Sequence, residues 1–264
     1  LTLIARDPSC LSSAASKLPS GTETVPGDVS SPAFWSDLAP RRVDVLVNAA
    51  GITYNAPFVR ANEDRLRDVV ETNLMGTMWG CRAMGRRMMK QTPTDRGRGV
   101  IVNVSSLLGI KGGVGSAAYA ASKAGVIGLT RALAAEMGGA GVRVNAVLPG
   151  YVSSDMTDGE CAFPSVCYGV LVSRAHSALS MYSRWVPAIE PERPIVTHFG
   201  IILLTLFLPA MTPEAREKAL AATPLKRFGT PDEVADAVLF LINNAYAHNC
   251  VLNLDGGLSA TVSV

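Results

Sequence analysis

Val43-Asp44-Val45-Leu46-Val47-Asn48-Ala49-Ala50-Gly51 decides the fold. An apolar stretch that runs straight into a turn of small residues is the pattern of a strand buried in a parallel sheet. The pattern recurs, for Val100–Val104 ends in Ser105-Ser106 and Val142–Val147 ends at Pro149-Gly150. Ahead of these, Leu1–Ala5 and Thr22–Val25 read as strands, and Asp7–Leu18 and Ser31–Leu38 as helices with a proline near their start. Glu63–Met89 carries helical periodicity over a long span, and the helix formers from Ser116 onward predict a buried helix running to Met137. Thr212-Pro213 and the capping box Thr230-Pro231-Asp232-Glu233 open two more helices, and Val251–Leu254 supplies a last strand. This alternation predicts an α/β fold with a doubly wound parallel sheet. Ligands of such sheets sit off the carboxyl ends of the strands, and Asn48, Ser106 and Pro149 all fall there.

A chain of 264 residues can bury a full core as one large domain or two small ones, and no linker divides it. Its formal charge of +2, with no basic run and no interleaved aromatics, argues against nucleic acid or an anionic membrane surface and points to a small-molecule partner. Five cysteines, Cys10, Cys81, Cys161, Cys167 and Cys250, are odd in number and scattered, which fits a reducing interior. The longest apolar run, Ile201–Leu208, falls far short of the roughly 18 residues of a membrane span. Leu1 stands in what reads as a strand already under way, so an N-terminal piece, with any targeting segment, is expected to be missing.

Residues 158–210 break the rhythm with Pro164, Pro187, Pro191, Pro194 and Pro209, and show no clean period until Ile201–Leu208. An irregular insertion is expected there. It reads either as a real insert that gates substrate or touches a membrane through Ile201–Leu208, or as a retained intron. For the latter, Gly159-Glu160 can be encoded by GGTGAG and Leu206–Ala210 by a pyrimidine-rich run ending in CAG. Cys161, Cys167, His176 and His198 are too loosely spaced for a metal site, and no metal is expected.

Tyr119 and Lys123 stand four apart on the predicted helix, hence on one face. A lysine charge beside a phenol favours phenolate, so the tyrosine pKa is expected to fall below its usual value of about 10. The spacing alone also fits two amphipathic side chains at a helix edge. Ser106 lies thirteen residues earlier at a strand end, and Asn73 sits in Glu71-Thr72-Asn73-Leu74 on the long helix before it.

Together with Asn48-Ala49-Ala50-Gly51 and Pro149-Gly150, this order and spacing resembles the short-chain dehydrogenase/reductase family over residues 1–157 and about 211–258. Within it the segments Asn145–Val152, Asp155-Met156-Thr157, Pro224–Gly229 and Asp255–Leu258 look most like those of 3-oxoacyl-acyl-carrier-protein reductases. The resemblance implies a single NAD(P)-binding, Rossmann-like domain over 1–264, lacking its first strand and glycine-rich loop. Residues 158–210 would then be the insertion and 211–228 the substrate lid. Without that strand the sheet would lose a central member and the pyrophosphate its cradle.

By the same resemblance Tyr119 protonates the substrate oxygen, Ser106 donates a hydrogen bond to it, Lys123 bonds the nicotinamide ribose, and Asn73 holds a water through its helix backbone. Arg6, with no acid beside Ala5, favours NADP(H) over NAD. The implied cofactor contacts are Arg6, Asp28, Val29, Asn48, Ala49, Ala50, Gly51, Tyr119, Lys123, Pro149, Gly150 and Val152. The implied function is NADPH-dependent reduction of a 3-oxoacyl thioester on acyl-carrier protein in fatty acid synthesis. The alternatives are an oxidoreductase of another ketone or secondary alcohol, or a non-catalytic fragment or partner subunit. A homotetramer built through the two long helices, and an intracellular location in mitochondrion or cytosol, follow from the same likeness. Tyr246-Ala247-His248-Asn249-Cys250 stands where relatives carry Thr-Gly, a departure that weakens the local turn on this reading.

Overall fold

In a computed structural model of the chain, residues 1–18, 20–38, 42–153, 169–172 and 212–260 are described. Seven strands form one sheet: β1 (Thr2–Ala5), β2 (Glu23–Pro26), β3 (Val45–Asn48), β4 (Gly99–Val104), β5 (Val142–Pro149), β6 (Gly169–Val172) and β7 (Val251–Leu254). Their spatial order is β2-β1-β6-β3-β4-β5-β7, and every pairing is parallel except those of β6.

Alternation along the strands sends side chains to two buried layers. Leu3, Val45, Val47 and Val102 pack with Leu11 of α1 (Pro8–Ser16) and with Val234, Val238 and Leu241 of α8 (Pro231–Asn243), the helix that follows α7 (Pro213–Ala222). Ile4, Leu46, Ile101 and Val144 face the other way. They meet Trp35 of α2 (Pro32–Asp37), Met84 and Met88 of α4 (Gly76–Lys90), and Ala134 of α6 (Ala117–Met137). Both faces of the sheet are therefore covered, as continuous apolar strands require. No helix among the described residues is long and apolar enough to cross a membrane.

Three local features depart from the sequence expectation. The long helix is interrupted: α3 (Glu63–Val70) passes through a π-helical turn at Glu71–Met75 before α4 begins. Gly76 lets this bend press against the backbone of Val29, where a Cβ would lie 3.2 Å from the Val29 carbonyl oxygen. Second, a short helix α5 (Leu108–Lys111) leads into α6, so close that a Cβ on Gly109 would stand 2.8 Å from the Lys123 carbonyl carbon. Third, β6 comes from the stretch expected to be an irregular insertion, and it fills the sheet position expected to be lost. It runs antiparallel, pairing Gly169 with both Ile4 and Asn48. The physical reason is that two facing strand edges buried in the middle of a sheet would otherwise leave their N–H and C=O groups unpaired. The remainder of 158–210, with Cys161, Cys167, His176, His198 and Ile201–Leu208, lies outside the described residues.

The turn at 246–250 is braced rather than weak. Asn249 takes the left-handed conformation (φ 58°), which asparagine tolerates best after glycine, and its N–H donates to the Val144 carbonyl at 2.9 Å. His248 accepts from the Val144 N–H through Nδ1 at 3.1 Å and donates from Nε2 to the Ala134 carbonyl at 2.9 Å. Arg143 and Asn145 both donate to the Ala247 carbonyl.

Candidate active site

The carboxyl ends of β3, β4 and β5, with the first turns of α6, enclose the residues that the sequence singles out. The β4–β5 ladder runs on past the strand ends, with Ser105 N–H donating to the Val147 carbonyl and Leu107 N–H to that of Pro149, so Ser106 is held in a fixed place. It is buried, its Oγ accepts from the Leu108 N–H at 3.2 Å, and its hydroxyl is near enough to the Tyr119 phenol to pull that group's pKa down. Tyr119 is on the first turn of α6 and half-buried. One turn on, Lys123 is 3 % exposed. Its ammonium donates to the Val104 carbonyl at 2.9 Å and sits 5.7 Å from the Tyr119 ring centroid.

This geometry corrects the expected charge effect on the phenol. Burial pushes the Tyr119 pKa above the ordinary tyrosine value, and the nearby Ser106 hydroxyl pulls only partly the other way. Desolvation of the charged form outweighs the stabilisation that the lysine was expected to provide. Tyr119 is therefore a neutral donor at neutral pH, the form that a general acid needs.

Asn73 lies fully buried in the π-turn. Such widened turns recur at functional sites because they re-aim a residue out of regular helical register. Its Oδ1 accepts from the Ile52 N–H at 2.8 Å, and its Nδ2 donates to the Ile52 carbonyl at 2.9 Å and to Ser122 Oγ at 3.1 Å. Ser122 in turn donates to the Tyr119 carbonyl at 2.7 Å, and Ser105 Oγ donates to that of Lys123 at 2.7 Å. The backbone carbonyl of Asn73 accepts from Thr77 Oγ1 at 2.8 Å. Sequence reasoning assigned Asn73 a backbone role and missed its side chain. It also missed Ser105 and Ser122, although Ser122 stands immediately before Lys123 on the same helical turn. Gly51 completes the cluster, since a Cβ there would lie 3.3 Å from both Asn73 Oδ1 and Lys123 Nζ.

The other marked residues are spread wider. Asn48 turns inward, donating to Asn103 Oδ1 at 2.8 Å and to Cys81 Sγ at 3.3 Å, while Ala49 and Ala50 are buried beside it. Burial pushes the Cys81 thiol up to about 12, so it serves packing rather than reactivity. Gly150 donates its N–H to the Leu254 carbonyl, and Val152 is buried and bridged to Gly229, which anchors the segment leading into α8. On the far side of β6, Arg6 is exposed beyond β1. Asp28 spends its Oδ1 on the N–H and hydroxyl of Ser30, and Val29 is buried against Trp35, whose ring N–H donates to its carbonyl. Thus Asn73, Ser106, Tyr119, Lys123 and Gly51 come together, whereas Arg6 and Asp28 follow β1 and β2 on the other side of β6, and Val29 packs against Gly76 at the end of the bend that carries Asn73. Among the described residues no cluster of side chains could hold a metal ion.

The family model for short chain dehydrogenases matches residues 2–162. The chain belongs to the short-chain dehydrogenase family. It is 36% identical over 219 residues to a 3-oxoacyl-[acyl-carrier-protein] reductase FabG of Thermotoga maritima, covering 82% of this chain and 66% of that protein. It is 34% identical over 216 residues to carbonyl reductase family member 4 of Danio rerio, covering 82% of this chain and 66% of that one. A 3-oxoacyl-[acyl-carrier-protein] reductase of Rattus norvegicus is 36% identical over 219 residues, with 83% and 67% covered. The chain thus spans 66% of the length of the first two relatives.

Short-chain dehydrogenases are oxidoreductases, and a nicotinamide cofactor is the group to test against this site. The nicotinamide-ribose end fits. Lys123 and Tyr119 supply donors there, and side-chain-free Gly51 leaves the space that a Cβ would fill. The pyrophosphate does not fit the described residues. The helix start beside β1 is already closed by the Asp7 carboxylate, which accepts from the N–H groups of Ser9 and Cys10.

Proposed function

We propose that this protein reduces the 3-keto group of a 3-oxoacyl thioester carried on acyl-carrier protein, with NADPH as reductant, in fatty acid synthesis. The observation that carries the reading is the buried Lys123 ammonium 5.7 Å from the centroid of the Tyr119 ring, with buried Ser106 beside the same phenol. When bound, the reduced nicotinamide supplies a hydride to the keto carbon. As the C=O π bond opens, negative charge gathers on oxygen, where Ser106 donates a hydrogen bond that strengthens with the charge. Tyr119 passes its proton to that oxygen, completing the hydroxyl. The phenolate so formed lies beside the buried Lys123 ammonium. Asn73, Ser122 and Ser105 hold the turn after β3 and helix α6 in register for these transfers.

Arg6 supports a preference for the 2′-phosphate of NADPH. The whole chain acts as one dinucleotide-fold domain, with residues 211–228 as its substrate lid and a homotetramer formed through α4 and α6. The partially exposed Met78 and Met89 on α4 support that assembly. A mitochondrial or cytosolic setting fits this chemistry. The test is NADPH oxidation followed at 340 nm with acetoacetyl-CoA as surrogate substrate. Turnover with 3-oxoacyl thioesters is the expected result, and none with any of them removes the assignment. The likeness to a carbonyl reductase favours a second reading, reduction of another ketone, which the same assay reveals as turnover of simple ketones or quinones in place of the thioester.

A further inference from the structure

At the amino-terminal edge of the sheet, opposite the candidate active site, three segments meet around a cleft of about 590 Å³. They are the tight turn at 94–97 before β4, the turn at 138–141 between α6 and β5, and the segment 245–248 before β7. Thr94 and Gly97 close the first turn by exchanging backbone hydrogen bonds at 2.7 and 3.0 Å, and the Arg98 N–H ties it to the Gly141 carbonyl at 2.8 Å. A cleft of this volume falls within the range of small-molecule sites.

Two guanidinium groups line it. Arg143, near the start of β5, donates from Nη1 to the Leu241 and Ala247 carbonyls at 2.7 and 2.8 Å, and from Nη2 to that of Ile242 at 2.6 Å. These bonds fix the cation against the last turn of α8 while using three of the five N–H groups that an arginine carries. Its Nε is buried and has no hydrogen-bond partner among the described residues. Arg96, exposed on the first turn, donates to Asn243 Oδ1 at the end of α8 at 3.3 Å. Burial pushes the Arg143 pKa below the ordinary arginine value, and the neighbouring Arg96 charge pushes the same way. The carbonyl dipoles at the helix end offset only part of the Arg143 charge. A cation taken out of water beside a second cation is costly until an anion pairs with it. Asp95 is the one carboxylate on the lining and is exposed to water, so the lining keeps a net positive charge.

We infer that this cleft is an anion site, remote from the reaction centre, that takes the phosphate group of a small molecule between Arg96 and Arg143. Guanidinium groups match the oxygen geometry of phosphate, and a dianion answers two of them. The cleft is larger than phosphate alone fills, which leaves room for an organic remainder beside the exposed Tyr246. A bound anion would tie the 94–97 turn to the end of α6 and to the 245–248 segment. The site does not depend on the reductase reading, although α6 carries Tyr119 at its opposite end.

Isothermal titration calorimetry of the full chain with inorganic phosphate and with glucose 6-phosphate, at one ionic strength set by chloride, tests this. Saturable binding is expected, weakened roughly tenfold or more by Arg96→Gln, which removes a charge-assisted hydrogen bond, and unchanged by Arg6→Gln. Tighter binding of glucose 6-phosphate assigns the site to an organic phosphate, and equal binding assigns it to phosphate itself. No saturable binding of either anion, or binding that Arg96→Gln leaves intact, overturns the inference. Binding lost with Arg6→Gln instead places the anion beyond β1 and refutes it as well. Arg96 lies on an exposed turn, so the Arg96→Gln protein should melt close to the parent in the absence of phosphate.

Discussion

Asn73 clasps Ile52 by both groups of its backbone, taking the N–H on Oδ1 at 2.8 Å and giving Nδ2–H to the carbonyl at 2.9 Å. The turn after β3 is thereby fixed to the bent helix, and through Ser122 to α6. Asn73→Ala leaves both Ile52 groups without these partners, at a cost of about 1–3 kcal/mol. Urea denaturation should show that loss together with reduced turnover. A variant as stable and as active as the parent would show that the clasp holds nothing in place.

Tyr119→Phe removes the proton donor with almost no change in volume. Turnover should fall by about 10²–10⁴, with the circular dichroism spectrum and melting temperature close to the parent. Ser106→Ala, which deletes the hydrogen bond to the reacting oxygen, should cost about 10²–10³ in kcat. Near-parental rates for Tyr119→Phe would assign the proton transfer to another group.

The pH dependence follows from the direction of the Tyr119 shift. The neutral phenol is the donor, burial raises its pKa above 10, and activity is lost only as pH rises through that raised value. The kcat/KM profile should therefore stay level through neutral pH and fall on the alkaline side beyond 10. An alkaline limb centred near 8 would mean that Lys123, not burial, dominates the titration of the phenol.

Gly51→Ala places a methyl group 3.3 Å from Asn73 Oδ1 and from Lys123 Nζ. The buried neighbours must shift, an overpacking cost of about 1–3 kcal/mol, and the ammonium moves with them. Cofactor affinity should weaken by more than stability alone explains. Equal affinity in calorimetry would show that the turn yields without disturbing the lysine.

Glu233 accepts from Arg227 at 2.6 and 2.9 Å and closes the capping box of α8. The Arg227 hydrogen bonds hold its carboxyl down at about 2 against an ordinary 4.5. A lowered folded-state pKa stabilises above the unfolded value, so this contribution is present above pH 4.5 and fades as pH falls toward 2. Glu233→Gln should cost about 0.5–1 kcal/mol at neutral pH, the range for an exposed pair, and the two proteins should converge in stability near pH 2. A difference that persists undiminished into acid would assign the effect to the cap rather than the charge.

Much of the fold was legible because burial on both faces leaves apolar runs that end in small residues, as at Val45–Gly51 and Val100–Ser106. The Tyr119–Lys123 spacing was equally readable, since a helix of known period fixes which side chains share a face. What escaped depends on partners distant in the chain. The bend at Glu71–Met75 answers to Val29 and Ile52, the inward turn of Asn48 to Asn103 and Cys81, and the raised phenol pKa to the packing around α6. β6 was invisible for a different reason. Gly169–Val172 is too short to show a period, and only the open edges of β1 and β3 give it a place.

That place also governs when the molecule can finish folding. Ile4 meets Gly169 across roughly 165 residues of chain, so the centre of the sheet, usually the earliest contact in a strand–helix–strand fold, here waits for a segment that is made long after β1 and β3. Contacts of such long separation close slowly. Until β6 arrives, the nascent β1–β2 and β3–β4 ribbons present bare edges to one another and to other chains, which makes the newly made protein a client for chaperones before it is anything else.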